Sequence, residues 1–341
     1  MKTQGFILHK KGTPEEAFKI SEIELPELNE FDVLIENEAF GLNYADVMAR
    51  RGLYRETPKF PCVIGYEVVG KIIKIGSGVD PKMLGKRVVA FTRFGGYAKH
   101  SITFSDAVAE IDNMSTNDAL SLSTQGVTAY YMANYVAPIK RGEYVLIHAA
   151  AGGVGTLLIQ LAKNAGAIVI AKVSSEEKVQ KCKELGADFA VNYKSVNYVS
   201  EIEKLIGNKK IDVSFNPVGG KTFKMDKELM GFGTRIFLFG GSELAEGRFG
   251  ILSQLNFLRK MGMIIPAFQM MQSKSIIGVN MLKIADTKPL VLKDSMHQII
   301  SFYQQGLIKT ENGGDFNFSE LNKAHSLLES GKSIGKIAVH W

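Results

Sequence analysis

Cysteine is scarce in this chain of 341 residues, which contains only Cys62 and Cys182. Two cysteines cannot build the disulfide framework that holds many small secreted domains together. Their scarcity suits a reducing compartment, so we expect a cytoplasmic protein.

Long apolar runs are also missing. No stretch approaches the roughly 20 consecutive apolar residues that a membrane-spanning helix needs. Residues 1–11 carry charges on both sides of a very short apolar run, so we expect neither a signal peptide nor an anchor there. Without repeats or low-complexity segments, the sequence predicts a globular protein, and its length allows two domains.

Charge of one sign is not concentrated anywhere. The chain has 41 Lys and Arg against 35 Asp and Glu, and the basic residues are scattered in pairs such as Lys10-Lys11. A nucleic-acid-binding protein usually shows a clustered basic patch, so we expect no nucleic-acid partner. The mild excess of +6 favours an anionic ligand such as a phosphorylated cofactor.

The first 120 residues follow a β pattern, with short segments rich in Val, Ile and Phe separated by Gly, Pro and Asp. The predicted strands in this part include 33–39, 68–75 and 87–91. This pattern is typical of an antiparallel, barrel-like unit.

From residue 144 onward, strands alternate with helices, as in a parallel, doubly wound sheet. The segment from residue 273 is too short for a core of its own, so we expect it to complete the first domain. The predicted domains are therefore a β-rich domain at 1–122 and 273–341, and a parallel-sheet domain at 123–272.

A glycine-rich turn follows the predicted strand 144–149. Gly152 and Gly153 would let the backbone approach a pyrophosphate, with Val154 beginning a helix whose N–H groups face the anion. Gly155 would permit close helix–sheet contact. A strand–helix connection without a ligand would look similar, but the βαβ context favours a dinucleotide site.

The end of the second strand of this domain indicates which dinucleotide binds. An NAD enzyme usually places Asp or Glu here, whereas this chain has Ser174, with Lys178 and Tyr193 nearby in sequence. Hydroxyls and a cation suit a 2′-phosphate, so we predict NADPH. Alternatively, Ser174 caps the following helix and Glu177 completes a capping box, which leaves Lys178 for the phosphate in either case.

Several segments together resemble the zinc-independent quinone oxidoreductase (zeta-crystallin-like) branch of the medium-chain dehydrogenase/reductase superfamily, over essentially the whole chain. These segments are GLNYADVMAR at 41–50, RGLY at 51–54, GYEVVG at 65–70, QGVTAY at 125–130, the glycine turn and the closing Gly335-Lys336. The resemblance implies a GroES-like β-rich catalytic domain and a Rossmann dinucleotide-binding domain. It also implies five further cofactor-binding residues, which are Asn43, Thr128, Phe239, Gly240 and Lys336.

The sequence departs from the zinc-dependent alcohol dehydrogenases at their metal ligands. Asn43 stands where those enzymes have a catalytic-zinc cysteine, and Tyr66 stands where they have a histidine. No cysteine lies between Cys62 and Cys182, so further ligands are missing as well. Zinc needs three or four converging ligands, and we therefore predict no metal.

Without a metal, the resemblance implies hydride transfer from NADPH to a quinone or an α,β-unsaturated carbonyl. Such acceptors delocalise the developing charge, so a hydrogen-bond donor can stabilise the oxygen. The candidates are Asn43 and Tyr54, with Tyr66 third, while Asp46 and Arg50 would orient their loop. Each tyrosine could instead be an ordinary core residue whose hydroxyl reaches a carbonyl.

The segment 243–275 is apolar and rich in Met. Its basic residues include Arg248, Arg259 and Lys260. It could form a lid, a subunit interface, a membrane-surface element, or helices packed on their own domain. Its length makes the resemblance closest to the vesicle amine transport protein type. A low-turnover NADPH-binding protein with a vesicle-association or scaffold role is therefore the alternative to an enzyme.

The resemblance also implies a homodimer. In that arrangement the strand Arg235–Phe239 would pair with its symmetry mate across the sheet edges.

Overall fold

The computed structural model describes residues 1–246 and 250–341, with side chains described except at 245–253. The chain divides into two compact units. Unit 1 comprises 1–128, 281–305 and 310–341, and unit 2 comprises 129–280 and 306–309. The C-terminal segment therefore returns to the N-terminal unit.

The strands are β1 (Lys2–Leu8), β2 (Phe18–Glu24), β3 (Asp32–Leu42), β4 (Cys62–Val63), β5 (Glu67–Ile75), β6 (Arg87–Phe91), β7 (His100–Phe104), β8 (Val108–Glu110), β9 (Tyr144–His148), β10 (Ile168–Val173), β11 (Phe189–Asn192), β12 (Ile211–Asn216), β13 (Met230–Leu238), β14 (Ser275–Gly278), β15 (Asn312–Asn317) and β16 (Lys336–His340).

The α-helices are α1 (Pro14–Ala17), α2 (Tyr44–Arg50), α3 (Thr116–Leu120), α4 (Val127–Tyr130), α5 (Gly153–Asn164), α6 (Glu176–Glu184), α7 (Tyr198–Ile206), α8 (Gly220–Leu229), α9 (Glu243–Glu246), α10 (Gly250–Met261), α11 (Pro266–Gln272), α12 (Met281–Thr287), α13 (Pro289–Gln304) and α14 (Leu321–Glu329). Two π-helical segments, Ser121–Gly126 and Tyr131–Val136, lie on either side of α4. None of the helices that the structure describes is both long enough and apolar enough to cross a bilayer.

Unit 1 is the β-rich domain. Its larger sheet has the order β15-β16-β3-β5-β6-β8, with β7 also paired to β3, and a smaller sheet has the order β2-β1-β4. Apolar side chains on the inner faces, among them Leu8, Ile35, Phe40 and Ile72, are fully buried. Because β16 pairs antiparallel with β3, the end of the chain completes this sheet.

Unit 2 is the doubly wound domain. Its six parallel strands have the order β11-β10-β9-β12-β13-β14, in which the chain moves outward from β9 in one direction and then in the other. Strands β9 and β10 are apolar except for His148 and Lys172, near their carboxyl ends, as expected where helices cover both faces of a parallel sheet. The predicted pairing of a GroES-like domain with a Rossmann domain is confirmed.

The outer strand of the parallel sheet differs from the prediction. Ser275–Gly278, which the predicted boundaries placed in the β-rich domain, pairs parallel with β13 in register Ile236 to Ile276. Strand β13 therefore has neighbours on both sides and cannot form an edge. The prediction that Arg235–Phe239 pairs with a symmetry mate is wrong for this reason, while the homodimer itself remains a prediction.

The Met-rich segment 243–275 contains α9, α10 and α11 and belongs to unit 2. Phe257 lies against Gly219 and Gly241, so one side of α10 contacts its own domain. Several other apolar side chains are exposed, up to 84% for Met263. Arg248, Phe249 and the side chain of Leu252, which the prediction included, lie outside the described residues.

Gly155 provides a test of how closely α5 approaches the end of β9. A Cβ atom at Gly155 would lie 2.6 Å from the Ala149 carbonyl oxygen and from the Ala150 Cα, both of which are backbone atoms. We expect Gly155→Ala to lower the free energy of unfolding by about 1–3 kcal/mol, because the backbone must shift to make room. Urea denaturation followed by circular dichroism measures the effect.

Gly278→Ala in β14 is the matched control, because no atom lies within 4 Å of the Cβ it would add. Its expected effect is within about 0.5 kcal/mol. Equal midpoints for Gly155→Ala and the wild type would contradict the close approach.

Candidate functional site

The glycine-rich turn in unit 2 is built for close approach to its backbone. Gly152 is the N-cap of α5 and its N–H donates to the Ala149 carbonyl at 2.8 Å. A Cβ atom at Gly152 would lie 3.2 Å from that same oxygen. The first N–H groups of α5, beginning at Gly153 and Val154, have no partner within the helix and point to where an anion can sit.

The helix cap after β10 is one residue later than the capping alternative proposed. Ser175, and not Ser174, is the N-cap of α6, and its hydroxyl accepts from the Lys178 N–H at 3.3 Å. The interpretation that Ser174 caps this helix is therefore wrong. Ser174 lies at the carboxyl end of β10, where the sequence predicts a 2′-phosphate contact.

The other predicted phosphate residues lie at the same edge of the sheet. Burial lowers the pKa of Lys178, whose backbone is held by the Ser175 cap. Tyr193 directly follows β11 and is 44% exposed. Glu176, the acidic residue nearest to Ser174 on α6, accepts from the Asn192 amide at 2.7 Å and so has a protein partner.

Further predicted cofactor residues lie in both units. Phe239 is half-buried and Gly240 exposed directly after β13. A Cβ atom at Gly240 would lie 2.6 Å from the Pro217 carbonyl oxygen, so only glycine fits there without a shift. Thr128 is the last residue of the first segment of unit 1, and its hydroxyl donates to the Thr124 carbonyl at 2.6 Å.

Asn43 in unit 1 is held in a buried polar cluster. It precedes α2 as its N-cap, and its amide nitrogen donates to both Glu67 oxygens, at 2.8 and 3.0 Å. Its amide oxygen accepts from Lys336 Nζ at 3.2 Å. The fully buried Lys336 also forms an ion pair with Glu67 and donates to the Leu42 carbonyl at 3.1 Å.

These contacts give Asn43 and Lys336 structural partners in addition to their predicted ligand roles. The amide of Asn43 is occupied on both sides, and all three polar partners of Lys336 are protein groups. Lys336 thus holds the side chains of Asn43 and Glu67 in place. A direct contact of either residue with a cofactor or an acceptor remains a prediction.

Asp46 adds a buried acid to this cluster. Its carboxylate accepts from the Asn43 backbone N–H at 2.7 Å. Burial raises the pKa of Asp46 to about 8, an effect that the Asn43 hydrogen bond opposes and the Glu67 carboxylate reinforces. The sequence assigned Asp46 only to orienting its loop, because burial of a carboxyl group leaves no local pattern in sequence.

Tyr54 and Tyr66 form a pair of neighbouring phenols in unit 1. Their rings meet edge to face with centroids 6.3 Å apart, and Phe94 lies 5.5 Å from Tyr66. Burial raises the pKa of Tyr54 to about 12 and raises that of Tyr66 further. Both hydroxyls are therefore neutral hydrogen-bond donors at physiological pH. Tyr66 is almost completely buried and Tyr54 is half-buried.

The two positions compared with zinc ligands, Asn43 and Tyr66, are occupied by an engaged amide and a neutral phenol. Within the described ranges, no three His, Cys, Asp or Glu side chains converge in a way that could hold a metal ion. The charged side chains that contact Asn43 are Glu67 and Lys336, which form a buried ion pair with each other.

Two family descriptions match most of this chain. The alcohol dehydrogenase GroES-like domain matches residues 29–137, and the zinc-binding dehydrogenase family matches residues 153–294. The first match falls mainly in unit 1 and the second mainly in unit 2. A β-rich GroES-like domain joined to a Rossmann domain defines a class of dehydrogenases and reductases.

Individual relatives narrow the class to one branch. Quinone oxidoreductase 1 of Escherichia coli is 30% identical over 333 residues, which are 96% of each chain. The human synaptic vesicle membrane protein VAT-1 homolog is 28% identical over 300 residues, covering 88% of this chain and 76% of the relative. The crystal structure of E. coli quinone oxidoreductase complexed with NADPH has a TM-score of 0.86 at 27% identity and covers 99% of this chain and 100% of that one.

This chain belongs to the medium-chain dehydrogenase/reductase superfamily, in its quinone oxidoreductase branch.

The unfolding free energy should depend on pH through Asp46. The unfolded chain releases this proton near 3.8 and the folded chain near 8, so the folded state binds the extra proton between these values. The stability of the wild type should therefore fall as the pH rises through this window. Asp46→Asn removes the titrating group, so its stability relative to wild type should rise by up to about 1.4 kcal/mol per pH unit.

Urea denaturation at pH 5.5, 6.5, 7.5 and 8.5 provides the measurement. Asp294→Asn, which removes an exposed carboxylate from α13, is the matched control for loss of one charge. A constant difference between Asp46→Asn and wild type over this range would show that Asp46 is not protonated in the folded state.

Proposed function

We propose that this chain is an NADPH-dependent oxidoreductase that transfers hydride, without a metal, to a quinone or an α,β-unsaturated carbonyl compound. The observation that carries the proposal is the pair of neutral tyrosine hydroxyls, Tyr54 and Tyr66, in the catalytic domain of a reductase fold. Such a pair supplies hydrogen-bond donors where related dehydrogenases use a cation.

The dinucleotide would bind to unit 2. Gly152 and Gly153 would hold the pyrophosphate at the start of α5, and Ser174, Lys178 and Tyr193 would hold the 2′-phosphate. NADPH supplies a hydride from its nicotinamide ring. The E. coli quinone oxidoreductase crystallised as a complex with NADPH has the same fold over nearly the whole chain, which supports this choice of cofactor.

The acceptor would meet the hydroxyl of Tyr54. When hydride adds to a conjugated carbonyl compound or a quinone, negative charge develops on an oxygen, and a hydrogen bond from Tyr54 stabilises it. A phenol with a pKa of about 12 stays protonated in this role, so it acts as a donor and does not ionise. The product then takes its proton from solvent.

Asn43 would shape this end of the acceptor site through its fixed position. The ion pair of Glu67 and Lys336 holds the amide on both sides, so the residue cannot change rotamer without breaking a buried charge contact. Asn43 would therefore contribute a side chain of fixed conformation at the start of α2.

Oxidation of NADPH, followed at 340 nm with purified protein and a panel of quinones and enals, tests the proposal. Turnover with NADPH and much less with NADH supports both the cofactor and the activity, and the best acceptor names the substrate class. Binding of NADPH without reduction of any acceptor would overturn the enzymatic proposal. It would favour the low-turnover binding protein, for which the VAT-1 homolog is the relevant relative.

Replacement of the proposed donor tests the acceptor site. Tyr54→Phe should lower kcat on the order of 10²-fold, since loss of one oxyanion donor has an effect of this size in other enzymes. The Kd for NADPH should stay within about twofold, because the proposed contacts to its pyrophosphate and 2′-phosphate all lie in unit 2.

Tyr135→Phe, which removes the hydroxyl of an exposed tyrosine in unit 2, is the matched control and should keep full activity. Unchanged kcat in Tyr54→Phe would remove Tyr54 from the mechanism.

The phosphate contact is tested on helix α6. Lys178→Met should weaken NADPH binding by about tenfold or more, because a charge-assisted hydrogen bond is lost. NADH lacks the 2′-phosphate, so its affinity should hardly change. Lys183→Met, at an exposed lysine of the same helix, is the control. An equal loss of affinity for NADPH and NADH would show that Lys178 stabilises α6 and does not recognise the phosphate.

A further inference from the structure

A buried chain of polar side chains lies on one face of the parallel sheet in unit 2, near the carboxyl ends of its strands. Lys172 Nζ lies 3.3 Å from His148 Nδ1, and His148 Nε2 lies 2.8 Å from Asp226 Oδ1. Lys172 is only 5% exposed, and the other two are more deeply buried still. Lysine is among the residues least often buried, so a cation inside a parallel sheet calls for a physical reason.

Asp226 provides the negative end of this chain. Its carboxylate accepts from the Ser214 hydroxyl at 2.8 Å and from the Asn216 amide at 2.7 Å. Although burial opposes ionisation, His148 and these two hydrogen bonds hold the pKa of Asp226 below its ordinary value. The carboxylate therefore stays charged and fixed to β12.

His148 transmits this negative charge to the lysine. Burial lowers the pKa of His148, even though Asp226 opposes the shift, so the imidazole is neutral at physiological pH. A neutral imidazole whose Nε2–H donates to Asp226 presents a lone pair on Nδ1 to the Lys172 ammonium. The cation and the carboxylate thus balance each other through one neutral ring, which compensates the burial of both charges.

The other side of the Lys172 ammonium faces two aromatic rings. Its Nζ lies 4.1 Å from the ring centroid of Tyr198 and 4.6 Å from that of Tyr193. Tyr198 is a buried core residue, whereas Tyr193 is 44% exposed. One face of Tyr193 is thus held by a buried cation, while a large part of the residue reaches the solvent beside Ser174.

We propose that Lys172 is a positioning residue that sets the preference for NADPH over NADH, by fixing the ring of Tyr193 and placing a positive charge beneath the 2′-phosphate. The inference rests on the proposed NADPH-dependent function and extends it. A cation held 4.6 Å from an aromatic ring orients that ring, and its field acts on any anion at the exposed side. The His148–Asp226 pair fixes the cation in turn.

The experiment measures the Kd of the full-length protein for NADPH and NADH by fluorescence titration, with 2′,5′-ADP and 5′-ADP as probes of the phosphate alone. Lys172→Met should raise the Kd for NADPH and 2′,5′-ADP about tenfold. It should leave the Kd for NADH and 5′-ADP within about twofold. Lys172→Arg keeps the cation and should restore most of the selectivity.

A second variant protects the test against misfolding. Lys172→Met alone leaves Asp226 as an uncompensated buried carboxylate, which can prevent folding. The double variant Lys172→Met/Asp226→Asn removes both charges and should show the same loss of selectivity as the single one. Lys209→Met, at an exposed lysine of unit 2, is the control for loss of one positive charge.

The outcomes separate the two proposals. Wild-type protein that binds no NADPH, or binds NADPH and NADH equally, overturns the proposed cofactor and this inference with it. Wild-type protein that prefers NADPH, together with an unchanged selectivity ratio in the folded Lys172 variants, overturns this inference alone. Equal weakening of both dinucleotides also overturns it, because it would show that Lys172 only stabilises the domain.

Discussion

The ion pair of Glu67 and Lys336 is the interaction on which the polar site of unit 1 depends. Both side chains are fully buried, so neither charge is tolerable without the other. Glu67 begins β5 and Lys336 begins β16, at positions 269 residues apart in sequence. The pair therefore requires the pairing of β16 with β3, which couples the position of Asn43 to completion of this sheet.

Unit 2 also contains a buried positive charge and a buried negative charge that require each other. There the carboxylate of Asp226 and the ammonium of Lys172 do not touch, and His148 lies between them. Glu67 and Lys336 begin their strands and Lys172 lies near the end of β10, whereas Asp226 reaches the strand ends from helix α8. The cluster in unit 1 holds Asn43 and the cluster in unit 2 holds Tyr193, both of which have proposed ligand roles.

The fold follows closely from local sequence patterns. Strand β6 has the predicted bounds 87–91, and strands β5 and β9 each differ by one residue from the predicted 68–75 and 144–149. The glycine turn before α5 is equally readable, since the spacing of Gly152 and Gly155 reflects two separate close approaches of backbone atoms. These features depend on neighbours in sequence, which is why sequence reasoning finds them.

Features that depend on distant partners could not be predicted in this way. The domain to which β14 belongs is decided by its pairing with β13, so the predicted boundary at residue 273 placed this strand in the wrong domain. The helix cap at Ser175 was missed by one residue, because Ser174 and Ser175 are both good caps and only the backbone geometry distinguishes them. Asp226 gave no signal at all, since its partners His148, Ser214 and Asn216 meet only in the folded sheet.

The choice of acceptor follows from the kind of stabilisation that neutral donors can give. A metal ion can stabilise an alkoxide, in which the charge stays on one oxygen, because it supplies a full positive charge at that atom. A tyrosine hydroxyl supplies only a hydrogen bond, which suffices when the acceptor itself spreads the charge over a conjugated system. Tyr54 and Tyr66, with their pKa values raised by burial, offer that weaker form of stabilisation. The proposed quinone or enone substrate is therefore the class of acceptor for which these residues are sufficient.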